Sequence, residues 1–98
     1  MYQGTTPEFS FSLPFSLGNI KSFLITFKQN DRMVNFTEED VRVEDNIIYV
    51  KLTQEQTKIF LPNFKCKVQM RVKLQNDSVI ASQIENIDIN ASLNSKVL

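Results

Sequence analysis

Apolar and polar residues alternate along most of this chain, and the alternation is cleanest over residues 65–74. There Cys66, Val68, Met70, Val72 and Leu74 take every second position, with Lys65, Lys67, Gln69, Arg71 and Lys73 between them. A period of two puts the first set on one face of an extended strand and the second set on the other. Upstream, Ile48, Val50 and Leu52 share a face while Ile47, Tyr49 and Lys51 share the opposite one. A strand with one oily and one solvated face belongs to an antiparallel sheet whose oily side a second layer must cover. Residues 46–74, two such strands and a connector, are therefore the centre around which the remaining chain is expected to pack.

The same pattern predicts the other elements in turn. Phe9, Phe11 and Leu13 alternate with Glu8, Ser10 and Ser12, a first strand at a sheet edge ended by Pro14, which has no N–H for a ladder. Ser16-Leu17-Gly18-Asn19 is turn chemistry. A second strand over 20–29 points Phe23, Ile25 and Phe27 inward and Ser22, Thr26 and Lys28 outward, with Leu24 an apolar exception on the outer face. Gln29-Asn30-Asp31-Arg32 turns the chain into a third strand over 33–36, and Val41-Arg42-Val43-Glu44 predicts a fourth. Asp45-Asn46 is a two-residue turn into the fifth, over 47–52.

Thr53-Gln54-Glu55-Gln56 matches a capping box, so one to two helical turns should start there and stop before Pro62. That crossover should carry the chain between sheets, with Ile59 or Phe60 plugging the end. After the sixth strand, Gln75-Asn76-Asp77-Ser78 turns into a seventh over 79–89. Its apolar parity changes between Ile80 and Ile84 on one side and Ile87 and Ile89 on the other, which predicts a one-residue bulge near 83–86. Residues 1–7 read as a flexible lead-in, and 91–98 as a tail anchored only by Leu93, Val97 and Leu98. Together these elements predict an all-β chain, an immunoglobulin-like antiparallel β-sandwich of about seven strands with one short helical crossover. The disulfide and core tryptophan of antibody domains are absent, so antibody ancestry is not implied.

Composition narrows the function classes. A chain of 98 residues is expected to form a single domain, 1–98, with a modest core. It is too apolar for a disordered segment and has no apolar run long enough for a membrane span. The N-terminus lacks the basic opening and apolar stretch of a secretory signal. Eleven basic residues balance eleven acidic ones, which disfavours nucleic-acid binding by bulk charge.

The candidate chemistry is sparse. There is no histidine, so histidine-based catalysis is excluded, and the single cysteine allows neither a thiolate cluster nor an intrachain disulfide. Two glycines cannot build a phosphate-cradling loop. Glu38 with Glu39 and Glu44 with Asp45 read as solvated turn residues, and Cys66 on the oily face reads as packing. No catalytic residue, metal or cofactor is expected, and the chain reads as no enzyme. What remains is a possible interaction face made of Lys65, Lys67, Gln69, Arg71 and Lys73, about 25 Å long at the strand rise, suited to an acidic surface or a phosphate backbone. Against it, exposed sheet faces commonly carry lysine, and lysine also protects strand edges. Tyr49, outward by parity, is a second candidate, a sugar-stacking ring together with Phe60 and Phe64.

Several short runs carry a resemblance. Tyr2-Gln3-Gly4-Thr5-Thr6-Pro7, Leu13-Pro14-Phe15, Lys51-Leu52-Thr53-Gln54-Glu55-Gln56-Thr57, Gln69-Met70-Arg71-Val72 and Ala81-Ser82-Gln83-Ile84, in that order, resemble a family of small proteins encoded among virion structural genes of bacteriophages and prophages. The order of strands is also similar to the immunoglobulin-like N-terminal domain of phage baseplate upper proteins, an analogy of architecture. Where such proteins tend to place glycine in two hairpins, this chain has Asp45-Asn46 and Asp77-Ser78. The resemblance implies a non-enzymatic structural or assembly protein of the tail, baseplate or another virion part, partnered by other phage structural proteins or by its own copies. It would reside in the virion, or in the bacterial host cytoplasm before assembly. The alternatives are a carbohydrate- or host-surface-binding module at Tyr49, and a nucleic-acid or host-factor binder using the basic strand face.

Overall fold

The computed structural model describes residues 1–13, 17–94 and 96–98. Eight strands and one helix follow in chain order: β1 (Glu8–Ser12), β2 (Ile20–Gln29), β3 (Arg32–Thr37), β4 (Arg42–Glu44), β5 (Ile47–Lys51), α1 (Gln54–Lys58), β6 (Lys65–Leu74), β7 (Val79–Ala81) and β8 (Glu85–Asp88). A single 3₁₀ turn, Leu17–Asn19, leads into β2. Pro14 and Ser16, expected at the end of the first strand and in the turn after it, lie outside the described residues. Among the described residues no helix is long and apolar enough to cross a membrane.

The strands form two antiparallel sheets packed as a sandwich, one in the order β1-β5-β4 and the other β3-β2-β6-β7, with β8 also paired to β6. In immunoglobulin terms β1, β5 and β4 stand at the places of strands B, E and D. Strands β3, β2 and β6 stand at those of C′, C and F, and β7 with β8 at that of G. The expected fold class is the observed one. Among the described residues, those before β1 make one parallel bridge, Tyr2 to Asn90, and β1 stands at an edge of its sheet.

Alternation positions the core as the period of two requires. Phe23, Ile25 and Phe27 of β2, Val34 and Phe36 of β3, Ile48 and Val50 of β5, and Cys66, Val68, Met70 and Val72 of β6 are all buried between the sheets. Phe27 has no exposed surface; its ring centroid lies 5.4 Å from that of Phe9 in the other sheet and 5.8 Å, edge-on, from that of Phe36. The turn at Asp45-Asn46 has positive φ at both residues, 50° and 64°, as a two-residue type I′ hairpin needs. Asp and Asn tolerate that region, so glycine is dispensable there.

The helix begins where the capping box puts it. Gln56 N–H donates to Thr53 Oγ1 at 3.2 Å and the Gln56 side chain accepts the Thr53 N–H at 2.8 Å. Of the two candidate plugs, Phe60 is fully buried whereas Ile59 is exposed. The connector is then fastened by Gln29 at the end of β2. Its Nε2 donates to the carbonyls of Leu61 and Phe64 at 2.8 and 3.2 Å, and its Oε1 accepts the Leu61 N–H at 2.6 Å. Gln29, expected at the end of the second strand and the start of a polar turn tetrad, is buried, and these three bonds satisfy its amide.

The last expected strand is two strands. Lys73 faces Val79 and Arg71 faces Ala81, but Val68 faces Glu85 and Lys65 faces Asp88. Three residues, Ser82, Gln83 and Ile84, therefore stand opposite Gln69 and Met70, which is the extra residue that the parity change predicted. Ser82 bridges the break, its N–H donating to Met70 O at 2.8 Å and its hydroxyl accepting the Met70 N–H at 3.0 Å. Ile80 opposite Val72 and Ile87 opposite Cys66 thus reach the same side.

Both ends of the chain differ from expectation. The lead-in is tied along its length: Met1 packs on the core, Gln3 N–H donates to Asn90 O at 3.0 Å, and Gln3 Nε2 donates to Phe60 O at 2.8 Å. The fully buried Thr57 hydroxyl accepts the Thr5 N–H at 3.1 Å and lies 2.9 Å from Thr5 O. In the tail, Leu93 and Leu98 are fully exposed and anchor nothing, and of the three expected anchors only Val97 is half-buried. Backbone groups hold it instead, the Gln54 amide pairing with both the N–H and the carbonyl of Leu98 at 2.7 and 3.1 Å.

Candidate functional site

Strand β6 is interior to its sheet, flanked by β2 on one side and by β7 and β8 on the other. Its lysines therefore do not protect an edge, and that explanation of the basic row is removed. The row is also discontinuous. Lys65 Nζ lies 2.6 Å from Asp88 Oδ1, and Lys73 Nζ lies 3.8 Å from Asp77 Oδ1, which also takes Lys21 at 3.0 Å. The hydrogen bond from Lys65, followed by its charge, holds the Asp88 carboxyl below its ordinary value. Gln69 is engaged too, its Nε2 donating to Ser82 O at 3.1 Å.

Positive charge is left uncompensated in the middle of the face. Lys67 stands directly opposite Lys28 of β2, and Arg71 stands opposite Leu24. Among the described residues no carboxylate lies within 4.0 Å of Lys28, Lys67 or Arg71. Like charges directly opposite on paired strands destabilise a sheet, by up to about 1 kcal/mol. Beside the pair is a concavity of about 440 Å³, lined by Thr26, Lys28, Asn30, Lys65, Lys67, Gln69 and the half-exposed Ile84. Lys28 was legible as an outward residue, but nothing in the chain's order announces that it faces Lys67.

Tyr49 is not part of this site. It projects from the outer face of the three-stranded sheet, on the other side of the sandwich from β6. The Arg42 guanidinium sits 4.3 Å from its ring centroid and also pairs with Glu44 at 3.0 Å and Glu8 at 3.6 Å. The expected stacking trio is therefore dispersed. Arg42 covers one face of Tyr49, Phe60 is fully buried, and Phe64 alone stands largely exposed. The acidic turn residues have local roles: Asp40 accepts the Thr37 N–H at 2.9 Å, and Glu38 the Phe23 N–H at 3.5 Å.

Cys66 is fully buried, and burial pushes its thiol up from 9.0 to about 11, against a smaller opposite effect of the Lys28 backbone N–H. The folded chain therefore keeps this proton where the unfolded chain has released it. Stability from the group is intact below about pH 9 and is lost as pH rises through about 11. Urea midpoints measured across that window should fall more steeply for the wild type than for Cys66→Ala; parallel slopes would contradict the assignment.

By strand order and packing the protein is an immunoglobulin-like β-sandwich, with a basic groove on one outer face and a tyrosine under an arginine on the other. Compared with protein-family models, curated proteins and solved structures, the chain matches none.

Proposed function

We propose that this chain is a non-enzymatic structural or assembly component of a bacteriophage or prophage particle, working through protein–protein contacts. The resemblance of its short runs to virion-region proteins supports the setting. The observation that carries the mode of action is the open seam between β1 and the β7–β8 side. A groove of about 410 Å³ lies there, reaching Phe9, Phe11, Val68, Met70 and Ile87. Edge strands with free backbone groups over an apolar groove take up a strand from another polypeptide. Glu85, opposite Val68 and so on the same side of the sheet, stands at the rim as a charge that deters indiscriminate pairing. Another virion protein or a second copy of this chain fits the seam.

The test is a mass-spectrometric inventory of purified particles. The polypeptide should appear with the products of its neighbouring genes; an inventory containing those products without it would refute the reading. The carbohydrate alternative has less support, because Arg42 covers one face of Tyr49 and Phe60 is buried.

A further inference from the structure

We infer that the groove centred on Lys28 and Lys67 is a docking site for an acidic protein segment, one presenting paired carboxylates beside an apolar side chain. This rests on the reading of the protein as an assembly component and names the partner chemistry of a second surface, separate from the seam. Directly opposed positions on paired antiparallel strands hold their Cβ atoms about 4.5–5.5 Å apart. The side chains of Lys28 and Lys67 thus leave the same face of the sheet from neighbouring positions, with no carboxylate of the described chain within 4.0 Å of either ammonium group. Two carboxylates from outside relieve that repulsion and gain two charge-assisted hydrogen bonds. The site is concave, and Ile84, about half exposed at its wall, offers an apolar contact.

The placement of carboxylates favours a protein over a nucleic acid. Asp88 neutralises Lys65 at one end of the row and Asp77 takes Lys73 and Lys21 at the other. Free positive charge is therefore a short central island, Lys28 and Lys67 with Arg71 beyond them. A phosphate backbone carries its charges on past such an island and would meet Asp77 and Asp88, whereas a short acidic segment ends within it.

The test uses the full chain and a fluorescein-labelled Glu-Glu-Leu-Glu-Glu peptide, read by anisotropy at low salt and at about 0.15 M salt. An oligothymidylate of equal charge is the comparison. The peptide should bind more tightly than the oligothymidylate, and Lys28→Glu with Lys67→Glu should weaken it about tenfold or more. The same charge change at Lys51 and Lys58, on other surfaces, should leave binding within about twofold. Lys28→Glu alone supplies a second readout: it should lose peptide affinity while its urea midpoint rises, because the opposed like charges become an ion pair. No peptide binding at low salt, binding indifferent to the double substitution, or equal binding of the oligothymidylate overturns the inference. Each of those results can occur with the polypeptide present in purified particles, so failure here is distinct from failure of the proposed function.

Discussion

Phe27→Ala should lower the free energy of unfolding by about 3–5 kcal/mol, the cost of deleting a large aromatic ring from a well-packed interior. The ring has no exposed surface and touches Phe9 of the facing sheet and Phe36 of the neighbouring strand, so its loss opens a cavity that neither sheet can close alone. A domain of this size has about 5–15 kcal/mol in total, and the variant should be close to half unfolded in mild denaturant. Far-UV circular dichroism in urea reads the change as a midpoint lowered by about 2 M at an unchanged slope. Phe64→Ala is the matched control: that ring is 60% exposed, and its removal should stay within about 0.5 kcal/mol. Equal effects of the two substitutions would mean that the interior is not centred on Phe27.

The second large effect is expected at Gln29. Gln29→Leu keeps the volume of the side chain but removes all three hydrogen bonds that hold the connector, leaving the Leu61 N–H and the Leu61 and Phe64 carbonyls without this partner. Orphaning buried polar groups costs about 1–3 kcal/mol each where water cannot replace the partner, and the connector is near enough to the surface for partial replacement. A loss of about 2–3 kcal/mol is expected, with a local signature: amide exchange at Leu61 should accelerate far more than exchange at Val68. Uniform acceleration across β6 would indicate a global effect and contradict the clamp.

These two residues differ in how readable they were. Phe27 alternates with Thr26 and Lys28 in an unbroken period of two, so its inward direction follows from local geometry. Gln29 shares that inward parity, yet its polarity groups it with the Asn30-Asp31 turn after it. It is buried because backbone groups more than thirty residues away need what an amide offers, a donor and an acceptor together. The candidate face behaves in the same way. Lys65, Lys67, Gln69, Arg71 and Lys73 do share a surface, as their spacing required. Their charge is redistributed by Asp77, Asp88 and Lys28, brought in from three other segments.

What the chain's order determined alone was everything set within a few residues. That covers the inward and outward parity of each strand, the capping box at Thr53, the left-handed turn at Asp45-Asn46, and the extra residue between Ile80 and Ile87. Steric limits on the backbone and the spacing of apolar side chains fix such features before any distant contact forms. Only tertiary structure decided which strands are neighbours, and with that the Lys28–Lys67 pair, the separation of Tyr49 from it, and the anchoring of residues 1–7. The reason is that pairing is a competition among whole surfaces. Backbone donors and acceptors look alike at every residue, so the choice among them falls to packing and loop closure across the entire fold.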